Sequence, residues 1–159
     1  MNIILEYALK YADMGWASFA VNKEKKPIVN KSWVDECTTE KEELERLFAK
    51  CPHRGIGIAT EQSDLFVLDV DVKTNGMESL EALEDEHGKL PDTLISQTGG
   101  GGRHHYFIRP ESGVKSSAGK VANGIDVRCN SGYVVAPPSP HSSGNNYCWQ
   151  DDEPNEIEL

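Results

Sequence analysis

The chain has 159 residues, with 26 acidic and 16 basic side chains, a formal net charge of −10, and 38% hydrophobic and 26% charged residues. These values exclude a disordered chain and describe one globular domain long enough to bury a hydrophobic core. The acidic balance also argues against strong intrinsic affinity for nucleic acid, which draws chiefly on phosphate neutralisation.

The acids are unevenly spread. Residues 36–86 hold 14 acids against 5 bases, and residues 151–159 hold 5 acids and no base. Residues 88–150 hold 6 bases and 3 acids, a local balance of +3. No apolar stretch is long enough to span a bilayer, and Glu6, Lys10 and Asp13 interrupt what would be a signal-peptide core. A cytoplasmic location is therefore expected. Cys37, Cys51, Cys129 and Cys148 form no C-x-x-C pair, so neither structural zinc nor a disulfide framework is expected.

Taken in chain order, residues 3–14 have the apolar spacing of an amphipathic helix, with Ile4, Ala8 and Tyr11 along one face. A short strand at 16–21 leads into a basic turn at 22–27. A second helix of about ten residues follows Thr39 and stops at Cys51-Pro52. Residues 55–59 read as a short strand and 65–72 as a longer one, separated by a turn. Asn75-Gly76 introduces a helix over 77–87, with Gly88 as its stop signal. Strands are expected at 93–98 and 104–109 on either side of a glycine run, then near 124–128, 133–136 and 146–149. Residues 137–141, rich in proline, form an extended loop. The expected architecture is α+β, a mixed or mostly antiparallel sheet with flanking helices.

Within Leu65-Phe66-Val67-Leu68-Asp69-Val70-Asp71-Val72, alternation puts Asp69 and Asp71 on one face, beyond Leu65 and Val67. Two anions side by side at the end of an apolar strand repel each other and resist desolvation. Mg²⁺ or Mn²⁺ held by those hard oxygens would reverse that cost. A purely structural pair at a strand end is the plainer alternative. The run Thr98-Gly99-Gly100-Gly101-Gly102 can bring backbone N–H groups close to a phosphate, or it can simply be a flexible hairpin loop. After it, His104 and Tyr106 share one strand face while His105 and Phe107 share the other, so one histidine faces a pocket. Asp126 and Arg128 also share a face, as a structural ion pair or as part of a phosphoryl-transfer constellation.

At these residues the chain resembles a known family. The segments 65–71, 98–107 (TGGGGRHHYF) and 125–140 (IDVRCNSGYVVAPPSP) look like the three motifs of the archaeo-eukaryotic primase superfamily. The nearest likeness is to its bifunctional DNA primase/polymerase (Prim-Pol) N-terminal domain, found in plasmid, phage and prophage replication proteins. Residues 15–27, ending in Lys25-Lys26-Pro27, and residues 55–60 resemble that domain as well, so the likeness covers nearly the whole chain.

The resemblance implies a primase-like fold with an RRM-like catalytic core. It implies one domain over 1–159, with an N-terminal part at 1–54, a metal-binding core at 55–150 and an acidic tail at 151–159. Asp69 and Asp71 match the first motif's acids, His104 the second motif's histidine, Asp126 the third motif's acid and Arg128 the base that follows it. Gly100 stands where the family usually has a small hydroxyl residue.

The implied activity is template-directed nucleotidyl transfer, in which Asp69, Asp71 and Asp126 hold two Mg²⁺ or Mn²⁺ ions. His104, Arg128 and Lys26 would bind the triphosphate, beside Gly101, Gly102 and Arg103 of the loop. Implied partners are single-stranded DNA template and primer, nucleoside triphosphates and a helicase. Rival readings are a metal-dependent phosphohydrolase or nuclease, and a non-catalytic single-strand-binding module for replication initiation. A chain ending at Leu159 reads as a domain excised from a longer replication protein, or as a small standalone relative.

Overall fold

The computed structural model describes residues 2–151. Helix α1 (Ile3–Asp13) starts at Asn2, whose side-chain oxygen accepts from the Leu5 N–H. The amide of the same side chain donates to Phe48 O (2.9 Å) and Ala49 O (3.0 Å) at the end of α3 (Lys41–Phe48). One residue therefore caps the first helix and ties it to the third. Between them lie β1 (Ser18–Val21) and the one-turn helix α2 (Trp33–Glu36), capped by Ser32.

Strands β2 (Gly55–Ala59) and β8 (Tyr133–Ala136) join β1 in a three-stranded sheet of order β1-β2-β8. The larger sheet runs β6-β7-β3-β5-β4-β9. Its members are β3 (Leu65–Val70), β4 (Leu94–Gln97), β5 (Arg103–Ile108), β6 (Ser117–Ala122), β7 (Ile125–Arg128) and β9 (Cys148–Trp149). Every pairing between named strands is antiparallel.

The large sheet is packed on both faces. On one, Leu65, Val67, Leu94 and Tyr106 join Ile4, Leu5, Ala8 and Tyr11 of α1, Leu44 and Phe48 of α3, and Ile56 and Ile58 of β2 in the main core. Trp16 stacks on Tyr106 at 5.6 Å between ring centres. On the other face, α4 (Gly76–His87) packs Leu80 against Val70 and Ile125. The small sheet and α1 cover only part of their face, and beyond Val67 and Tyr106 the next residues on that face of the same strands are Asp69 and His104. No helix among the described residues is long and apolar enough to cross a membrane.

Four elements differ most from expectation. Strand β3 stops at Val70, because the Asp71 carboxylate accepts from Lys73 N–H (2.8 Å) and opens a 3-10 turn at Val72–Thr74. Helix α3 has 8 residues, and the unanticipated α2 precedes it. Strand β6 was also unanticipated: its mostly exposed sequence Ser-Ala-Gly-Lys-Val-Ala pairs only with β7, with a bulge between Ala118 and Ala122. The acidic tail expected at 151–159 lies outside the described residues beyond Asp151.

Candidate active site

The centre of the site is set by strand register. Asp69 on β3 stands directly opposite His104 on β5 and directly opposite Asp126 on β7. Directly opposed residues of an antiparallel pair project to the same face with Cβ atoms about 5 Å apart. Asp126, Asp69 and His104 thus form one row across the central strands. Arg128 opposes Val67 and lies on the same face, one step along β7.

His104 Nε2 lies 3.4 Å from Asp69 Oδ1, with side chains only 6% and 26% exposed. Burial pushes the Asp69 carboxyl up, but the His104 hydrogen bond and the charges of His104, Arg128 and Lys25 outweigh it and hold it below the usual carboxylate range. Asp126 accepts from Arg128 Nη2 (3.1 Å) and from the Gly119 N–H (2.9 Å). Asp71 is exposed just past the strand end.

The Asp71 backbone is pinned on both sides. Its N–H donates to Gly124 O (2.7 Å) and its C=O accepts from Gly76 N–H (2.8 Å). A Cβ on Gly76 would stand 2.5 Å from Gly124 O and 2.6 Å from Asp71 O. Gly124 itself has φ +73°. Only glycine fits at either position.

A cavity of about 260 Å³ opens above Asp69 and His104, with Tyr133, Val134 and Val135 of β8 also on its wall. Asp71, Arg128, Lys25, Lys73, Thr98, Gly100, Gly102, His141 and Tyr147 line the remainder. Lys25, Lys73 and Arg128 outnumber the two carboxylates there, which makes the cavity locally attractive to a polyanion despite the acidic chain.

Several residues singled out from sequence stand elsewhere. Lys25, in the left-handed conformation at φ 68°, lines the cavity in place of Lys26. Its carbonyl accepts from Tyr133 Oη (2.9 Å), which fixes the turn against β8. Arg103 points with His105 to the opposite face of the sheet, beside α4. Gly101 N–H donates to Thr98 O (3.0 Å) and Gly102 N–H to Thr98 Oγ1 (3.0 Å), so both amides are used inside the loop. The Gly100 N–H makes no hydrogen bond among the described residues, and Gly100 lines the cavity. Asp126 borders a neighbouring, more open depression with Asp71 and Gly119 rather than the cavity above Asp69.

Lys73 and His141 were not anticipated. Lys73 lies two residues past Asp71, where the strand pattern has ended. His141 follows the proline run, and its Nδ1 is engaged by the Ser143 hydroxyl (2.9 Å) and Ser143 N–H (3.0 Å). Its ring packs where a side chain on Gly99 would lie, so Gly99 is a packing requirement of His141. Burial, then the charges of Lys25 and Lys73, hold the His141 imidazole below its usual value.

Asp69, Asp71 and Asp126 offer a set of hard oxygens on one face, which suits Mg²⁺ or Mn²⁺. As placed, Asp69 turns to His104, Asp126 to Arg128, and Asp71 to its own turn. No group of at least 3 His, Cys, Asp or Glu side chains among the described residues converges on one point as a ready ligand cage. The donor chemistry of the three carboxylates fits such ions.

No curated protein matches the chain. The family profile described as Bifunctional DNA primase/polymerase, N-terminal (Prim-Pol), matches residues 8–158. The antiparallel α+β fold is consistent with a primase-like domain, and with nearly its whole length matched, the chain belongs to the bifunctional DNA primase/polymerase N-terminal family.

Proposed function

We propose that the chain is a divalent-metal-dependent DNA primase/polymerase domain that joins nucleotides on a single-stranded DNA template. The observation that carries this reading is the row Asp126–Asp69–His104, opening beside a cavity ringed by Lys25, Lys73 and Arg128. Asp69, Asp71 and Asp126 are the residues that would hold two Mg²⁺ or Mn²⁺ ions. When bound, such ions lower the pKa of an attacking 3′-hydroxyl and offset charge on the triphosphate.

The remaining roles fall to the protein's own groups. Lys25, Lys73 and Arg128 neutralise the triphosphate, and Gly100 lines the same cavity with its N–H unbonded among the described residues. His141, with Nδ1 fixed by Ser143, is held with its other ring nitrogen free to donate to a phosphate oxygen. His104, itself buried, orients the Asp69 carboxylate at the floor of the cavity. The lowered Asp69 pKa keeps its oxygens ionised at neutral pH. The family resemblance supports a replication setting on plasmid, phage or prophage DNA, with a helicase as companion.

The test is synthesis on single-stranded DNA, with and without a primer, under Mg²⁺ or Mn²⁺. Asp69→Asn and Asp71→Asn proteins should retain the wild-type circular-dichroism spectrum and lose synthesis. Extension retained by either variant refutes the assignment. Release of free phosphate, or cut strands without polymer, would assign the same acids to a hydrolase.

A further inference from the structure

A second cavity, larger than the one above Asp69, lies on the opposite face of the six-stranded sheet. It measures about 770 Å³ and is enclosed by α4, the 89–93 segment and strands β4 and β5. Its apolar lining comes from Met77, Leu80, Leu90 and Ile95. Five carboxylates, Glu78, Glu81, Glu84, Asp92 and Asp151, surround that lining against two cations, Lys89 and Arg103. Glu84 is already occupied by the Leu90 N–H (3.1 Å) and Lys89 Nζ (3.8 Å). Glu78, Glu81, Asp92 and Asp151 stand exposed.

His105 provides an independent sign of a missing ligand. It is only 6% exposed, it lines this cavity, and its Nε2 has no hydrogen-bond partner. Buried polar atoms are normally satisfied, and one left open at the floor of a cavity marks where a ligand group belongs. Burial, then the Arg103 charge, pushes the His105 imidazole down to about 4, so it is neutral at physiological pH and can accept a hydrogen bond.

The surroundings select the class of ligand. The carboxylate excess repels phosphates, so nucleic acid is excluded from this face. As placed, no group of at least 3 His, Cys, Asp or Glu side chains among the described residues converges on one point in this cavity, and its exposed carboxylates are spread around a rim. The volume lies in the range of a ligand-binding cleft, and an apolar floor with an acidic rim matches a segment that carries one apolar and one basic face.

We propose that this cavity docks a basic amphipathic segment of a partner protein, with apolar side chains on the Leu80–Ile95 floor and Lys or Arg N–H groups donating to His105 and the rim carboxylates. Docking there leaves the catalytic cavity on the other face free for DNA.

The test is a fluorescence-anisotropy titration with a labelled Lys/Leu amphipathic helical peptide, against a Glu/Leu peptide of the same pattern. Glu78→Gln/Glu81→Gln removes two rim charges. Glu42→Gln/Glu45→Gln on α3 is the control, matched in charge, spacing and exposure. The expected result is binding of the basic peptide only, weakened about fivefold by the rim pair and unchanged by the control pair. Hydrogen-exchange protection should fall on residues 77–92. Equal weakening by both pairs would show net-charge attraction without a site, and absence of binding or protection confined to the catalytic cavity would equally overturn the proposal.

Discussion

Gly76→Ala is the sharpest perturbation of the site that leaves every catalytic side chain in place. The added methyl would meet Gly124 O at 2.5 Å, Asp71 O at 2.6 Å and Asp71 N at 2.7 Å. All are backbone atoms, so no rotamer change relieves the contact. Overpacking of this kind costs about 1–3 kcal/mol. The gain from replacing glycine at the first residue of α4 is below the ~1 kcal/mol available in a helix interior. The net expectation is a loss of about 2 kcal/mol, or a fall in Tm of roughly 4–8 °C for a chain of this size.

Activity should fall further than stability. The relief of the clash must move the peptide groups that pin Asp71, and a displacement near 1 Å at a reacting centre can cost about a hundredfold. Primer extension at a temperature where the variant is fully folded should drop at least about tenfold. Gly100→Ala is the stability control, because its nearest neighbours stand 4.0 Å from the added methyl and its φ is not left-handed. A Gly76→Ala protein with wild-type melting and wild-type extension would refute the claim that this glycine contact positions Asp71.

Other outcomes follow from particular contacts. Tyr11→Phe removes the hydroxyl that donates to Pro137 O (2.6 Å) and accepts from Trp149 Nε1 (3.1 Å). With both partners stranded, chemical denaturation should show a loss of about 1–3 kcal/mol. His105→Leu should flatten the acid limb of the stability curve. The folded imidazole titrates at about 4 against an ordinary 6.5, so wild-type stability is intact above pH 6.5 and is lost as pH falls from there to 4. That loss is at most roughly 3 kcal/mol, and a variant with an unchanged acid limb would contradict it. His141→Ala should raise the KM for nucleotide in primer extension while melting remains within a few degrees of wild type. An unchanged KM would remove His141 from triphosphate binding.

Much of the architecture could be read from the chain because its strands obey simple alternation. Residues 55–59 and 133–136 form strands with the expected limits. The alternation argument put Asp69 and Asp71 beyond Leu65 and Val67, and it split His104 from His105 onto opposite faces. The polar strand β6 escaped notice because it is held by pairing to β7 and a bulge, not by burial.

The cations of the cavity were harder to find for a different reason. Lys25 and Lys73, and the neutral donor His141, come from a turn, a 3-10 turn and a loop, where no strand or helix periodicity signals direction. The choice between Lys25 and Lys26 depended on a left-handed backbone angle at Lys25. The loop amides of Gly101 and Gly102 looked available from composition, but Thr98 consumes them. Side chains carried by a sheet could be located by counting, whereas those carried by loops required coordinates.

The row of opposed residues on β7, β3 and β5 also limits how this site can change. Distances within it are fixed by ladder hydrogen bonds, and a strand can shift only by whole residues, each shift turning alternate side chains over. The spacing of Asp126, Asp69 and His104 therefore has no fine adjustment. Variation among descendants of this domain should accumulate in the loops that carry Lys25, Lys73 and His141, where the fit to a substrate can drift continuously while the row is kept whole or lost outright.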